Sequence, residues 1–437
     1  MNQNCILDKI YKMKKYLLIN FIIAITFLVS CGSDDDEMSD IDNQNPTAPQ
    51  NLTISNITDS SLDLSWSEAT DNVEVTNYKL YLDGTNVQTI NNGTTASIFG
   101  LTPGTSYEIN VTALDAEGNE SLQSNILTVE TLVAPLIFKE YLSEMGIFSG
   151  NLKSLTPAEN VHLYDLNSQL FTDYAHKQRL IRMPEGEAMH YNNNSLLPIF
   201  PDNTLISKTF YYYEDENNTN SNKIIIETRV LIKTEGTWKV GEYLWDDQMN
   251  EAVYTEQGST IPVSYLNTEG ITQEVQYQIP SKDDCITCHH VYDDTTPIGP
   301  KLRAMNFNPQ NEETSINQLQ YFIDIGLLEG ISDISSIEVL ADWEDEINFD
   351  IFERGRSYID INCAHCHQPG GYVPTGFLLD FRLETDFVTT GIYSHRGQIE
   401  SRIQSTTPTY LMPQLGRSLV HDEGVTMLLE YLEAIED

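Results

Sequence analysis

The sequence contains the pattern C-x-x-C-H twice, and this repeated pattern restricts the possible folds more than any other feature. Its copies occupy residues 285–289 and 363–367, and only two other cysteines exist, Cys5 and Cys31. Three kinds of chemistry use such an arrangement: a thiol redox pair, half of a zinc site, and covalent haem attachment. Because no cysteine remains for an ordinary disulfide between distant elements, the four motif thiols are expected to be occupied in an exported chain.

The spacing within each motif favours haem attachment. On a helical turn, residues i and i+3 share a face, so both thiols of a motif can add to the vinyl groups at one edge of the macrocycle. The histidine that follows lies on the same face and can bind the iron. We therefore expect two covalently attached c-type haems, bound through Cys285, Cys288, Cys363 and Cys366 with His289 and His367 as iron ligands.

The two other uses of the motifs fit the sequence less well. A structural zinc site needs four ligands in a tetrahedral arrangement, which two C-x-x-C pairs could supply. The segment between the pairs is not a compact ribbon, however, and zinc leaves the histidine after each pair unexplained. A thiol redox pair is expected in a βαβ context, which the sequence does not show.

The N-terminus predicts an exported lipoprotein. Lysines precede an apolar run, residues 16–30, that has the length of a signal segment rather than of a membrane span. The run ends in a sequence similar to a bacterial lipobox, so residues 1–31 are expected to form a signal peptide ending at the lipidated Cys31. Residues 32–47 read as an acidic flexible linker, and their start is similar to a surface-export signal of bacterial lipoproteins. The predicted location is the outer membrane, on either face.

The charge of the chain excludes some partners. Lys and Arg total 24 against 65 Asp and Glu, which gives a formal net charge of −41. Such a charge argues against binding to nucleic acid and against docking on anionic lipid. We therefore expect no nucleic-acid partner, and membrane contact through the lipid anchor only.

Residues 48–132 have the pattern of an all-β module. Short alternating runs such as NLTISNI and SYEINVTALD are typical of strands. Trp66 lies in one of these runs, and Tyr107 ends the sequence LTPGTSY. The segment resembles a fibronectin type III domain, in which Trp66 would be buried and Tyr107 would form the tyrosine corner. The resemblance implies a β-sandwich that acts as a spacer or interaction module.

Residues 133–345 predict a β-rich domain that includes the first haem motif. A short helical stretch, residues 138–148, precedes strand-like runs such as LISKTFYYYE and KIIIETRVLIKT, which Gly, Asn and acidic turns separate. Helical spacing returns in SINQLQYFIDIGLL. The sequence shows no nucleotide-binding loop, catalytic triad signature or metalloprotease motif.

Residues 346–437 predict an all-α domain. Apolar residues at helical spacing run into the second motif, and an amphipathic helix closes the chain. The segment resembles a class I cytochrome c domain, with Gly355, Tyr358 and Tyr431 where that family packs its first helix against its last. The fold class is therefore expected to be multidomain, with an all-β sandwich, a β-rich domain and an all-α domain.

The resemblance also implies an iron ligand for the second haem. The cytochrome c family uses a Met in a loop before its last helix, and Met412 occupies such a place beside Pro413. Met427 lies on the apolar stripe of the last helix and is expected in the core. His365, between the two cysteines, is expected to have no role.

The second ligand of the first haem is left open by the sequence. The residues before Cys285 indicate a strand and a turn, so this haem is expected to pack against the β-rich domain. Its candidate ligands are Met183, His176, His190, His290 and Met305.

From about residue 140 onward, the chain resembles a family of exported dihaem c-type cytochromes. The resemblance rests on YDLNSQLFTDYAHKQRLIRMPEG, IPSKDDCITCH, PIGPKLRAMN and INCAHCH. The resemblance implies two haems. The complete ligand set expected for the second haem predicts electron transfer with an unidentified redox partner protein rather than a self-contained enzyme. The alternatives are a dihaem peroxidase-like enzyme, a cytochrome subunit of a periplasmic dehydrogenase, and a non-redox surface adhesin with structural zinc.

Overall fold

The structure is a computed structural model that describes residues 41–309, 316–374, 376 and 379–436. Cys31, the predicted signal peptide and part of the predicted linker lie outside the described residues. The chain divides after Val133 into two compact units. Over the described ranges, no helix is both long enough and apolar enough to cross a membrane.

The first unit is a β-sandwich. Its strands are β1 (Gln50–Ser55), β2 (Ser61–Ser67), β3 (Val75–Leu82), β4 (Thr85–Asn91), β5 (Thr95–Phe99), β6 (Ser106–Asp115) and β7 (Leu127–Glu130). They form antiparallel sheets of order β1-β2-β5 and β4-β3-β6-β7. Trp66 is buried with its ring 5.5 Å from that of Tyr78, and the Thr102 backbone N–H donates to the Tyr107 hydroxyl at 2.8 Å. The predicted all-β module is confirmed, including its buried Trp and its tyrosine corner.

The second unit is built on a six-stranded antiparallel sheet of order β14-β13-β12-β11-β9-β8. The strands of the unit are β8 (His162–Tyr164), β9 (His176–Arg182), β10 (Met189–His190), β11 (Leu205–Tyr213), β12 (Lys223–Thr234), β13 (Thr237–Trp245), β14 (Ala252–Thr255), β15 (Ser259–Leu266), β16 (Thr272–Ile279), β17 (His290–Val291), β18 (Asp294–Thr295) and β19 (Leu328–Glu329). β15 and β16 form a separate hairpin. The predicted β-rich character is confirmed.

Seven α-helices lie in the described part of the second unit. They are α1 (Lys282–His289), α2 (Leu302–Met305), α3 (Gln318–Asp324), α4 (Ile351–Asn362), α5 (Phe387–Thr390), α6 (Ile392–Ile403) and α7 (Asp422–Ala434). The helix predicted in SINQLQYFIDIGLL is present as α3. The helix predicted over residues 138–148 is reduced to a 3₁₀ turn, Leu142–Met145, because Gly146 adopts a left-handed φ of 62° that ends it.

The two faces of the six-stranded sheet bury different cores, because successive side chains of a strand point to opposite faces. On one face, Leu180, Leu205 and Val230 pack around the turn at Leu142–Met145. On the other face, Ile181, Ile206 and Leu231 pack against helices α2 and α3. The second face is the one that positions the candidate site.

The C-terminal helices, predicted as a distinct all-α domain, belong to the same compact unit as the sheet. Asp360 on α4 pairs with Arg303 on α2 at 2.9 Å and with Lys301 at 3.2 Å. Asp173, at the base of the sheet, accepts the backbone N–H groups of Ser418 and Leu419. These buried links join the helices to the β-rich part. The predicted crossing of α4 and α7 at Gly355 and Tyr431 is present.

Candidate metal centre

The two C-x-x-C-H motifs meet in the structure. The Sγ atoms of Cys288 and Cys366 and a ring nitrogen of His365 all lie within 4.8 Å of one another, and the three side chains are half-buried. Cys288 comes from the first motif, and His365 and Cys366 come from the second. We name these three residues the thiol–histidine cluster.

Local signals place Cys288 on a helix. Ser281 and Asp284 form a capping box at the start of α1, in which the Ser281 hydroxyl accepts the Asp284 backbone N–H at 3.2 Å. Asp283 and Asp284 in the first turn also suit the positive end of the helix dipole. The helix therefore begins just before the motif and carries both of its cysteines.

The second motif folds differently, because α4 ends at Asn362 and the motif lies in the turn that follows. The backbone N–H groups of Cys366 and His367 both donate to the Cys363 carbonyl, at 3.2 and 3.0 Å. The side chain of Cys363 packs in the core formed by α4, α6 and α7. Cys366 instead lies in the thiol–histidine cluster, so the two thiols of this motif have different surroundings.

A backbone contact holds the two motif segments together. The Tyr292 N–H donates to the Gly370 carbonyl at 2.7 Å. Gly370 has a φ of 78°, and a β-carbon there would overlap the Tyr292 ring. This close approach needs a glycine, and it fixes the distance between the end of α1 and the second motif.

The pKa values of the two cluster thiols are shifted in opposite directions. The neighbouring Cys366 and His365 side chains lower the pKa of Cys288 to about 5, although burial opposes the shift. The neighbouring Cys288 and burial raise the pKa of Cys366 well above its usual range. Two sulfurs and one imidazole nitrogen are soft-to-borderline donors, the set that zinc prefers.

The other predicted cysteine and histidine ligands lie outside the cluster. Burial raises the pKa values of the Cys285 and Cys363 thiols to about 12, and both pack against apolar cores. The His289 Nδ1 atom lies 2.8 Å from the Thr296 carbonyl oxygen, and burial lowers the pKa of His289 to about 3. His367 packs against Phe381 with a ring separation of 4.7 Å, and burial lowers its pKa to about 4.

The predicted methionine and open-position ligands are also apart from the cluster. Met412 lines a small cavity beside Cys363, and Met427 is buried in the helical core as predicted. None of the five candidates for the open position lies in the cluster: Met183 and Met305 are core residues, His176 bonds Glu216, His190 is near Glu329, and His290 begins β17.

His365 is the residue that sequence reasoning missed. The sequence predicts no role for it, whereas the structure places a ring nitrogen of His365 within 4.8 Å of the Sγ atoms of Cys288 and Cys366. Its position between Cys363 and Cys366 was visible in the sequence. The turn after Asn362 determines which side chain of the motif faces α1. Helical spacing in the sequence does not predict this turn.

The comparisons with known proteins match the first unit. Residues 47–130 match the family model of the fibronectin type III domain. Chitinase A1 of Niallia circulans is 45% identical over 95 residues, which are 22% of this chain and 13% of the relative. Chitinase Chi52 of Paenibacillus xylanexedens is 48% identical over 86 residues (20% and 16%), and Chitinase D of Niallia circulans is 49% identical over 80 residues (18% and 15%). The chain thus spans only a small part of these relatives, and the predicted fibronectin type III module is confirmed.

The comparisons contradict the predicted membership in a family of dihaem cytochromes. The family matched is fibronectin type III, and the relatives are chitinases and other enzymes such as an exoglucanase and an alpha-amylase, with no cytochrome among them. Electron transfer, the dihaem peroxidase and dehydrogenase-subunit alternatives and haem c as cofactor are therefore wrong predictions. An unidentified redox partner protein stays a prediction that these comparisons do not test.

Four side chains near the second motif line a small cavity: Cys363, Met412, Tyr358 and Ile403. Its volume is about 20 Å³, which is room for about one water molecule.

Proposed function

We propose that the second unit is a metal-binding domain in which Cys288, His365 and Cys366 hold a zinc ion. The observation that supports this is the convergence of three zinc-type donors from two distant segments within 4.8 Å. Structural zinc sites use Cys and His and are closed by a fourth ligand, whereas catalytic sites have three protein ligands and an open position. The cluster supplies three, so its fourth position would be open to water or substrate.

A metal at the cluster would also stabilise the second unit. The ligands lie on α1 and in the turn after α4. The segments that follow these two elements are joined by the backbone hydrogen bond from Tyr292 to Gly370. Binding energy at a site formed only in the folded chain adds to the free energy of folding. The bound metal would therefore hold the first motif against the second.

Metal analysis of the purified full chain tests this proposal. We expect about one zinc per chain, and loss of that zinc in Cys288→Ser and Cys366→Ser, because each removes a ligand. Cys285→Ser and Cys363→Ser are matched controls that should retain the metal. A chelator should lower the thermal unfolding midpoint of the native chain and of these controls, but not of the two ligand variants.

Two results would overturn the zinc assignment. One is a Cys288–Cys366 disulfide in metal-free native protein, found by mass spectrometry without reduction, since the two sulfurs are close and exported proteins meet oxidising conditions. The other is a covalently attached haem, which the absorbance spectrum in alkaline pyridine would reveal.

A second candidate function is attachment to polysaccharide outside the cell. It is favoured by the 45–49% identity between the first unit and segments of three chitinases. Here the β-sandwich would bind the polysaccharide, and a lipid on Cys31 would anchor the chain. Cys31→Ser should move the protein from the membrane fraction to a soluble fraction, and this soluble form should co-sediment with insoluble chitin. An unchanged membrane fraction would contradict the anchor, and failure to sediment with chitin would contradict the attachment.

A further inference from the structure

A row of charged side chains crosses the six-stranded sheet on the face that packs against α2 and α3. Arg179 on β9 pairs in register with Lys208 on β11, Lys208 pairs with Arg229 on β12, and Arg229 pairs with Glu242 on β13. Lys177 lies two residues before Arg179 and so shares its face. Four basic side chains therefore stand on one sheet face, beside a row of buried aliphatic residues.

The basic groups converge on one aromatic ring. The Nζ atoms of Lys177 and Lys208 lie 5.8 and 5.7 Å from the ring centre of Phe210, and the Arg229 guanidinium carbon lies 4.4 Å from it. Such distances are within the range of cation–π attraction. We name Lys177, Lys208 and Arg229 the cation triad.

Acidic partners compensate only part of this charge. Arg179 donates to Asp165 at 2.8 Å, and Arg229 donates to Glu227 at 2.9 Å. Glu227 is fully buried and also accepts the Tyr277 hydroxyl. Burial, together with the charge of Glu227, raises the pKa of the Glu242 carboxyl well above its usual range.

The two lysines have no acidic partner among the residues that the structure describes. Lys177 donates to the Ala175 carbonyl, and the Lys208 side chain forms no hydrogen bond or ion pair with another described residue. Burial and the charges of Arg179 and Arg229 lower the pKa of Lys208 to about 7. Four basic groups therefore lie beside three carboxyl groups, those of Asp165, Glu227 and Glu242, in a chain whose net charge is −41.

The cation triad is also accessible. Lys177 and Lys208 are half-buried rather than enclosed, and 20% of the Arg229 side chain is exposed. Helix α1 packs against β13, which belongs to the same row. Burial is the main cause that lowers the pKa of His289 on this helix, and the charge of Lys208 contributes. Removing a charged group partly from water costs free energy unless an opposite charge is bound to it.

We propose that the cation triad binds a small oxyanion, either a phosphate or a carboxylate. Two ammonium groups and a guanidinium supply the charge-assisted donors that such oxygens accept. None of the three residues of the cation triad belongs to the thiol–histidine cluster, although the charge of Arg229 contributes to lowering the pKa of Cys288.

Titration calorimetry of the full chain with inorganic phosphate and, separately, with malonate tests this proposal at constant ionic strength. We expect saturable binding of at least one of them, and the stronger one identifies phosphate or carboxylate as the preferred group. Lys208→Gln should weaken that binding roughly tenfold or more, since a hydrogen bond to a charged group contributes about 1.5–3 kcal/mol. Lys239→Gln is the matched control, because Lys239 is exposed on β13 and should leave binding unchanged.

Folding of the variants is checked in the same samples. Lys208→Gln removes repulsion from Arg179 and Arg229, so without added anion its thermal midpoint should equal or exceed that of the native chain. Lys177→Gln provides a second variant with the same expected loss of binding. No saturable binding of either anion to the native chain, or equal weakening in Lys239→Gln, would overturn the proposal.

Discussion

Replacing Asp360 by Ala is expected to lower the free energy of unfolding by about 3 kcal/mol, because it leaves a buried charge without its main partner. The side chains of Asp360 and Arg303 are each 1% exposed and lie 2.9 Å apart. Asp360 also accepts from Lys301 and from the Leu383 backbone N–H at 3.0 Å. Glu384 still pairs with Arg303 in the variant. We therefore expect a loss of free energy at the lower end of the range that follows removal of one partner of a buried ion pair. Urea unfolding of the full chain measures this loss.

A matched control separates this effect from the removal of any carboxylate. Glu256 pairs with Lys282 at 2.6 Å, but both side chains are more than 40% exposed. Exposed ion pairs contribute at most about 1 kcal/mol, so Glu256→Ala should change the free energy of unfolding little. Equal losses in the two variants would show that Asp360 does not join the helices to the sheet.

The same carboxylate predicts an acid dependence of stability. Burial alone would raise the pKa of Asp360, but the charges of Lys301 and Arg303 outweigh burial and hold it below its usual range. A carboxyl with a lowered folded-state pKa stabilises the fold above its unfolded pKa of about 3.9 and loses that contribution as the pH falls through the folded value. The stability difference between the native chain and Asp360→Ala should therefore shrink below about pH 4.

The features that could be predicted from the sequence are those that local patterns determine. The alternation of apolar and polar residues, together with the sequence LTPGTSY, predicts a β-sandwich. The buried Trp66 and the Tyr107 corner can be recognised because both depend on strand spacing within one module. The strand-like runs of the second unit were visible for the same reason. Neither pattern indicates which strands pair, so the sequence did not show that Lys208 lies between Arg179 and Arg229.

The candidate site depended on contacts that local spacing does not encode. Helical periodicity places Cys363 and Cys366 on one face, but α4 ends at Asn362 and the turn that follows separates their surroundings. Cys366 meets Cys288 because Tyr292 packs on Gly370, a contact between distant segments. The same limit applies to the link from Arg303 to Asp360, which crosses the predicted domain boundary and which helical spacing does not indicate.

Two glycines in helices of the second unit are expected to respond oppositely to the same substitution. A β-carbon at Gly355 in α4 would overlap the Tyr431 ring on α7, whereas one at Gly397 in α6 would meet no atom within 4 Å. Gly355→Ala should lower the free energy of unfolding by about 1–3 kcal/mol through overpacking. Gly397→Ala should raise it by about 0.5–1 kcal/mol, because alanine is the better helix former. Urea midpoints measure both changes, and a gain in stability for Gly355→Ala would show that α4 and α7 are not in close contact at this position.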